Sequence, residues 1–309
     1  MLQSLRQSLR DVPLIHNAYM RVKRAFSTDL LGMTSSTEQE YLERYGESSY
    51  TGVGNVVDLG CWLGSTTIPL TRGLLKNPAF GGSGRKVYAY DLFVWFDWMN
   101  SSVAGTDLYG KYVEGDSFVD EFEKRTNAFA DSIEICAGDL KSIGWHGGDI
   151  EFLLVDAMKN FDLAGSIVRD FYPHLIPGGG LVFHQDFAHY FTPWIHLIQW
   201  RFRDHFEFVE EVPSSTSVIF ICTQSISSSD CEQELSYASF SDKDVDAAFD
   251  YSMGLVSAEK LSNVAAAKVM WYLHQKDRVK AASVFDDLIS LGIETENDMF
   301  NVRKLLSEA

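Results

Sequence analysis

Five short apolar runs, at residues 55–59, 86–91, 132–136, 151–156 and 180–185, lie roughly one strand and one helix apart, with helical patterning between them. Strands separated by crossovers of that length pair in parallel rather than as hairpins, and their crossover helices cover both faces of the sheet. The spacing therefore predicts an α/β fold on a doubly wound, mostly parallel sheet. Two more runs, 206–211 and 217–222, are joined by a short Pro/Ser stretch. A hairpin completing a seven-stranded sheet is the expectation.

The rest of the chain flanks this rhythm, which divides it into a leading segment (1–45), an α/β domain (46–224) and a tail (225–309). The leading segment reads as helical: Leu2, Leu5 and Leu9 recur at helical spacing, Pro13 interrupts, and Ser36 or Thr37 offers an N-cap. The stretch SISSSD, 225–230, reads as a linker, and the tail beyond it as a small helical appendage with Gly292 as a C-cap. With 309 residues, 46% of them hydrophobic, the chain can bury one large core. A formal net charge of −17 opposes general attraction to nucleic acid or anionic lipid, although Arg6, Arg10, Arg21, Lys23 and Arg24 make the start locally basic. No run approaches the roughly 20 apolar residues of a membrane span, and the N-terminus lacks the pattern of a signal peptide. A cytoplasmic protein without stable membrane insertion is expected. Cys61, Cys136, Cys222 and Cys231 have no metal-type spacing and read as buried thiols.

The chemistry gathers where the strands end. In VVDLGCWLGSTTIPL, 56–70, Asp58, Gly60 and Gly64 fall at D-x-G-x-x-x-G spacing, followed by Ser65. A strand that runs through glycines into a helix lets a ligand approach the backbone at the C-terminal edge of a parallel sheet. The pattern breaks the G-x-G-x-x-G of nicotinamide dinucleotide sites at Cys61-Trp62. Asp91, followed by Leu92, ends the second run, and a carboxylate there can accept both hydroxyls of a ribose. Asp139 follows the third run, Asp156 ends the fourth with Lys159 three residues on, and His184, Gln185 and Asp186 close the fifth.

This set, with the LIPGGG turn before the fifth run, resembles the class I S-adenosylmethionine-dependent methyltransferases, over about residues 50–224. The resemblance implies a Rossmann-like methyltransferase fold with Asp58, Gly60, Gly64, Ser65, Asp91, Leu92 and Asp139 around S-adenosylmethionine. Within the family, D-x-x-K at Asp156 and Lys159 is similar to the divalent-cation-dependent O-methyltransferases, such as the catechol and caffeoyl-CoA enzymes, and to macrolide-sugar enzymes. There the acid holds magnesium and the lysine deprotonates the acceptor hydroxyl. The family's acidic pair after the fifth strand is matched here by Gln185 and Asp186, so Asp156, Gln185 and Asp186 are the implied ligands of Mg2+ or another divalent cation. His184 is the alternative if the alignment slips by one, and would favour a softer metal. Some relatives use no metal and a histidine base, which keeps His184, His189 and His196 as candidates beside Lys159.

The aromatic stretch 91–118, with Phe93, Trp95, Phe96 and Trp98, reads either as a lid or acceptor platform or as a local cluster. No basic groove accompanies it, so nucleic acid is a poor partner. The expected activity is O-methyl transfer to a hydroxyl of a small metabolite or sugar, with the helical termini available for a homodimer. The alternative is a non-catalytic binding or regulatory protein on the same fold, favoured if Asp156, Lys159 and Asp186 stand apart.

Overall fold

The structure, a computed structural model, describes residues 30–308. The expectations for Leu2, Leu5, Leu9, Pro13 and the leading basic residues lie outside that range. Seven strands form one sheet: β1 (Asn55–Leu59), β2 (Val87–Asp91), β3 (Ile133–Ala137), β4 (Ile150–Val155), β5 (Leu181–His184), β6 (Phe206–Glu211) and β7 (Val218–Cys222). Their spatial order is β3-β2-β1-β4-β5-β7-β6. The first five are parallel, and β7 runs antiparallel to both β5 and β6. Each strand agrees with its apolar run to within one residue at either end. This is the doubly wound, mostly parallel sheet that the spacing predicts.

Helices of eight residues or more among the described residues are α1 (Ser36–Ser48), α2 (Thr67–Lys76), α3 (Val119–Thr126), α4 (Phe161–Phe171), α5 (Trp194–Arg201), α6 (Asp242–Leu255), α7 (Ala258–His274), α8 (Arg278–Ser290) and α9 (Asn297–Ser307). Strand parity divides the core in two. Val56, Phe152, Leu154 and Phe183 point to one face, against Tyr41, Leu42, Leu70 and Leu74 of α1 and α2. Val57, Leu59, Leu153, Val155 and Val182 point to the other, in a cluster with Phe171 of α4, Ile198 of α5, Phe249 of α6 and Trp271 of α7. The tail helices thus share a continuous core with the sheet. β1 and β4 are buried along their whole length, as strands covered on both faces must be.

The start of α1 corrects one expectation. Its N-cap is Ser35, not Ser36 or Thr37, because Ser35 closes a reciprocal capping box: Ser35 Oγ accepts the Glu38 N–H, and the Glu38 carboxylate accepts the Ser35 N–H. The linker 225–230 runs into one helical turn, Ser228–Cys231, capped by Ser227. Cys61, Cys222 and Cys231 are buried and Cys136 is half-buried, all as free thiols. Among the described residues no helix is long and apolar enough to cross a membrane.

Candidate active site

The C-terminal ends of β1, β2 and β4 and the turn after β3 open onto one cavity of about 400 Å³. Its wall includes Gly60, Asp91, Leu92, Asp139, Asp156 and Lys159. That volume is in the range of small-molecule sites, and the place is where open parallel sheets bind ligands.

The turn after β1 sets the floor. Gly60 has φ +90°, and a Cβ there would lie 2.8 Å from the Asp156 carbonyl oxygen, so glycine is required both by conformation and by the closeness of β1 and β4. Two non-glycine residues beside it are also left-handed, Trp62 at φ +41° and Phe93 at φ +52°. Both aim their amides at one carboxylate: the Trp62 N–H donates to Asp91 Oδ2 at 2.9 Å and the Phe93 N–H to Oδ1 at 2.8 Å. Burial raises the Asp91 carboxyl above its ordinary range, and these amide bonds pull it back. Uncommon backbone conformations are thus spent on fixing one acid at the cavity wall.

Asp58, Gly64 and Ser65, expected as cofactor contacts, stand behind the turn instead of on that wall. Asp58 is fully buried, and its Oδ2 accepts the hydroxyls of Thr66 at 2.8 Å and Thr67 at 2.7 Å, which ties the end of β1 to the start of α2. Its Oδ1 has no protein partner, and burial pushes the carboxyl up to about 6, against the pull of the Thr67 and Thr66 hydroxyls. Gly64, at φ +84°, shapes the turn. Ser65 is covered by residues 32–34, its Oγ 2.8 Å from Thr34 Oγ1. Asp139 does line the cavity, and it also caps the turn Leu140–Ile143 by accepting the Lys141 N–H at 3.0 Å.

The aromatic stretch splits by role. Phe93 and Trp95 are buried in the core, whereas Phe96 and Trp98 reach the cavity, and Trp98 is 52% exposed. The stretch leaves and returns through a short antiparallel stem, with the Trp95 N–H donating to Asp116 O at 2.7 Å and the Phe118 N–H to Phe93 O at 3.0 Å. Trp98 faces Trp62 with ring centroids 6.2 Å apart. Met33 completes this rim. Trp62 and Met33 escaped the sequence reading: no spacing rule marks a left-handed tryptophan, and nothing in residues 30–35 says that they cross over the turn.

At the other end of the cavity Asp156 and Lys159 line the wall, and Asp186, just off it, converges on Lys159. The Lys159 ammonium donates to Asp156 Oδ1 and to Asp186 Oδ2. Asp156 follows β4 directly, Asp186 follows β5 by two residues, and Lys159 sits just before Asn160, the cap of α4. The Lys159 side chain is half exposed, and the open half looks onto the cavity. Burial disfavours its charge, but the two carboxylates override that and hold the ammonium above its ordinary value. Burial raises the Asp156 carboxyl above its ordinary range, with Lys159 opposing and Asp186 reinforcing. A lysine held between two carboxylates stays a charged hydrogen-bond donor. The arrangement therefore does not fit the expected removal of a proton by Lys159, which requires the neutral amine.

No protein-family model matches the chain, and no curated protein matches its sequence. Among solved structures it is similar to the O-methyltransferase NovP, with 17% identity, coverage of 63% of this chain and 83% of that one, and a TM-score of 0.48. It is also similar to the calicheamicin methyltransferase CalS11, at 14% identity, 71% and 90% coverage and a TM-score of 0.42. A third likeness is to the SAH-bound methyltransferase PaMTH1 of Podospora anserina, at 12%, 67% and 87%, and 0.39. These likenesses are faint, and what the site does rests on its own residues.

Two further expectations meet those residues. His184 does not line the cavity: the last residue of β5 turns its ring into the core, where it packs on Phe187 and Phe220 and its Nε2 lies 3.3 Å from Tyr172 Oη. Burial lowers it to about 4, so it is neutral, enclosed and out of reach as an acceptor's base or a metal ligand. His196 is likewise packed between Phe187 and Phe249 and lowered by burial to about 3. His189 lies in the loop after β5, its Nδ1 accepting the Phe191 N–H at 3.2 Å. The expected divalent cation also lacks its donor set. Gln185 is buried with an unpartnered Oε1 but is absent from the cavity wall, and the two carboxylates already share the Lys159 ammonium. Among the described residues no group of three His, Cys, Asp or Glu side chains is placed to hold a metal ion. The residues present do not fit a divalent cation.

Proposed function

We propose that the chain is an S-adenosylmethionine-dependent O-methyltransferase that acts on a hydroxyl of a small metabolite or sugar. One observation carries this reading: a single cavity joins a backbone-held acid suited to a ribose, Asp91, to a charged cluster suited to a hydroxyl, with the Gly60 turn between them. The residues fit the cofactor. Each Asp91 oxygen uses one lone pair on an amide and keeps another for a ribose hydroxyl, Gly60 leaves room against the backbone, and Asp139, on the cavity wall, suits the adenine amino group. S-adenosylmethionine, when bound, supplies a methyl group on an electron-poor sulfonium carbon.

The chain's part is to orient and to handle a proton. Gly60 brings the floor of the cavity against Asp156, Phe96 and Trp98 restrict water at the rim, and the Asp156–Lys159–Asp186 cluster meets the acceptor oxygen. The reading as a non-catalytic binding protein is favoured if those three side chains stand apart, and their meeting supports the catalytic reading instead. Titrating S-adenosylhomocysteine into the protein calorimetrically tests the cofactor assignment, with micromolar affinity as the expected result. Absence of binding would remove the assignment and leave only the fold.

A further inference from the structure

Resting on that reading, we infer that Lys159 is a resident cation: its ammonium takes the position between Asp156 and Asp186 that a divalent ion needs, and a carboxylate of the pair, not the lysine, receives the acceptor's proton. The inference stands on three observations. First, among the described residues the strand-end ligand groups that meet one another here are two carboxylates, and both accept from the same Nζ. Second, Asp156 and Lys159 line the cavity while Asp186 and the remaining candidates for a metal's third ligand, Gln185 and His184, do not, so an acceptor meets the cluster from its Asp156–Lys159 side. Third, an ammonium has three N–H donors, of which two are used on the carboxylates, leaving one for the oxygen of an acceptor at the cavity wall.

The chemistry balances without a metal. The third N–H of Lys159 binds the acceptor hydroxyl oxygen and orients it. As that oxygen's lone pair forms the new bond to the methyl carbon, the carbon–sulfur pair returns to sulfur, and the hydroxyl proton passes to a carboxylate oxygen of Asp156, the member of the pair on the cavity wall. The products are a methyl ether, a neutral thioether and one protonated carboxyl group. The ammonium keeps its own protons throughout, so its charge stabilises the oxygen as the proton leaves. No oxidant, reductant or second co-reactant is needed.

If Lys159 is a resident cation, removing it turns the carboxylate pair into an open cation site. The probe is Mn2+, followed by electron paramagnetic resonance on the full chain, with S-adenosylhomocysteine binding measured on the same samples. Wild type is expected to bind Mn2+ at least tenfold more weakly than Lys159→Ala and Lys159→Met, the second of which keeps the apolar stem if the first fails to fold. Asp156→Asn added to Lys159→Met should abolish the gain. Equal Mn2+ affinity in wild type and both variants overturns the inference, since a metal would then displace the lysine; so does an absence of binding in folded variants. The cofactor assignment is judged separately, because loss of S-adenosylhomocysteine binding in wild type defeats it whatever Mn2+ does. A second readout separates cation from base: guanidinium never gives up its proton, so Lys159→Arg should retain at least tenfold more turnover than Lys159→Ala. Equal inactivity of the two would overturn the inference.

Discussion

Asp91 and the Asp156–Asp186 pair are acids at the same sheet edge, yet they are held in different ways. Asp91 is fixed by two main-chain amides whose direction depends on left-handed residues at Trp62 and Phe93. The pair is held by one side chain, the Lys159 ammonium. Of the ordinary substitutions only proline deletes an amide donor, whereas any neutral side chain at position 159 deletes the ammonium. On the proposed reading, the cofactor end is thus written into the path of the chain, and the reacting end into one removable charge.

The sharpest way to separate the ends is Lys159→Ala. Turnover should fall by about 10²–10³-fold, the usual loss when a group that stabilises developing charge is removed. S-adenosylhomocysteine affinity should stay within about threefold, since the Asp91 end shares no partner with it. Initial rates and calorimetry on one preparation check both, and equal losses would mean that the ends are not independent. Gly60→Ala should break both together, because its Cβ meets the Asp156 backbone at 2.8 Å in a left-handed conformation. A loss of about 2–4 kcal/mol is expected in urea unfolding, together with weakened cofactor binding. Asp91→Asn keeps the shape but removes the charge and one acceptor, for an expected loss of about tenfold in S-adenosylhomocysteine affinity. An unchanged dissociation constant would remove Asp91 from the ribose.

The smallest effect concerns the acid behind the turn. The Asp58 carboxyl rises from its ordinary 3.8 to about 6 in the fold, so the fold binds a proton more tightly than the unfolded chain. Its contribution is therefore fully present below the unfolded value and lost as pH rises through about 6. His184 and His196 act in the opposite sense, because burial lowers them from 6.5 and the fold loses their contribution as pH falls below that value. The measurement is accordingly a difference: thermal midpoints of Asp58→Asn minus wild type between pH 4 and 7. The difference should grow with pH, and a flat one would show that Asp58 ionises freely.

The sheet was legible because strand spacing and strand-end acids are local patterns. Asp91, Asp139 and Asp156 reach the cavity for the reason that marked them: each closes or follows a parallel strand. What the sequence concealed depends on parity and on contacts across the fold. His184 and Gln185 are neighbours, but strand alternation sends the His184 ring among Phe187 and Phe220, which no pattern of single residues reveals. Phe93 and Trp95 went to the core while Phe96 and Trp98 went to the rim, a division set by the stem that pairs residues 93–95 with 115–118. The grip of Lys159 on two carboxylates joins residues 27 positions apart and exists only once β4 and β5 are side by side.

The contact of Gly60 with Asp156 acts as a fixed gauge. If the proposed transfer takes place here, donor and acceptor meet beside a gap whose width is set by two stretches of main chain, which exchanging a side chain on either does not widen. A descendant of this sequence that takes a bulkier acceptor has to find the room elsewhere, at the rim formed by Met33, Phe96 and Trp98. Diversification of substrate and preservation of transfer distance then fall on different parts of the chain, and libraries aimed at new acceptors are best confined to the rim.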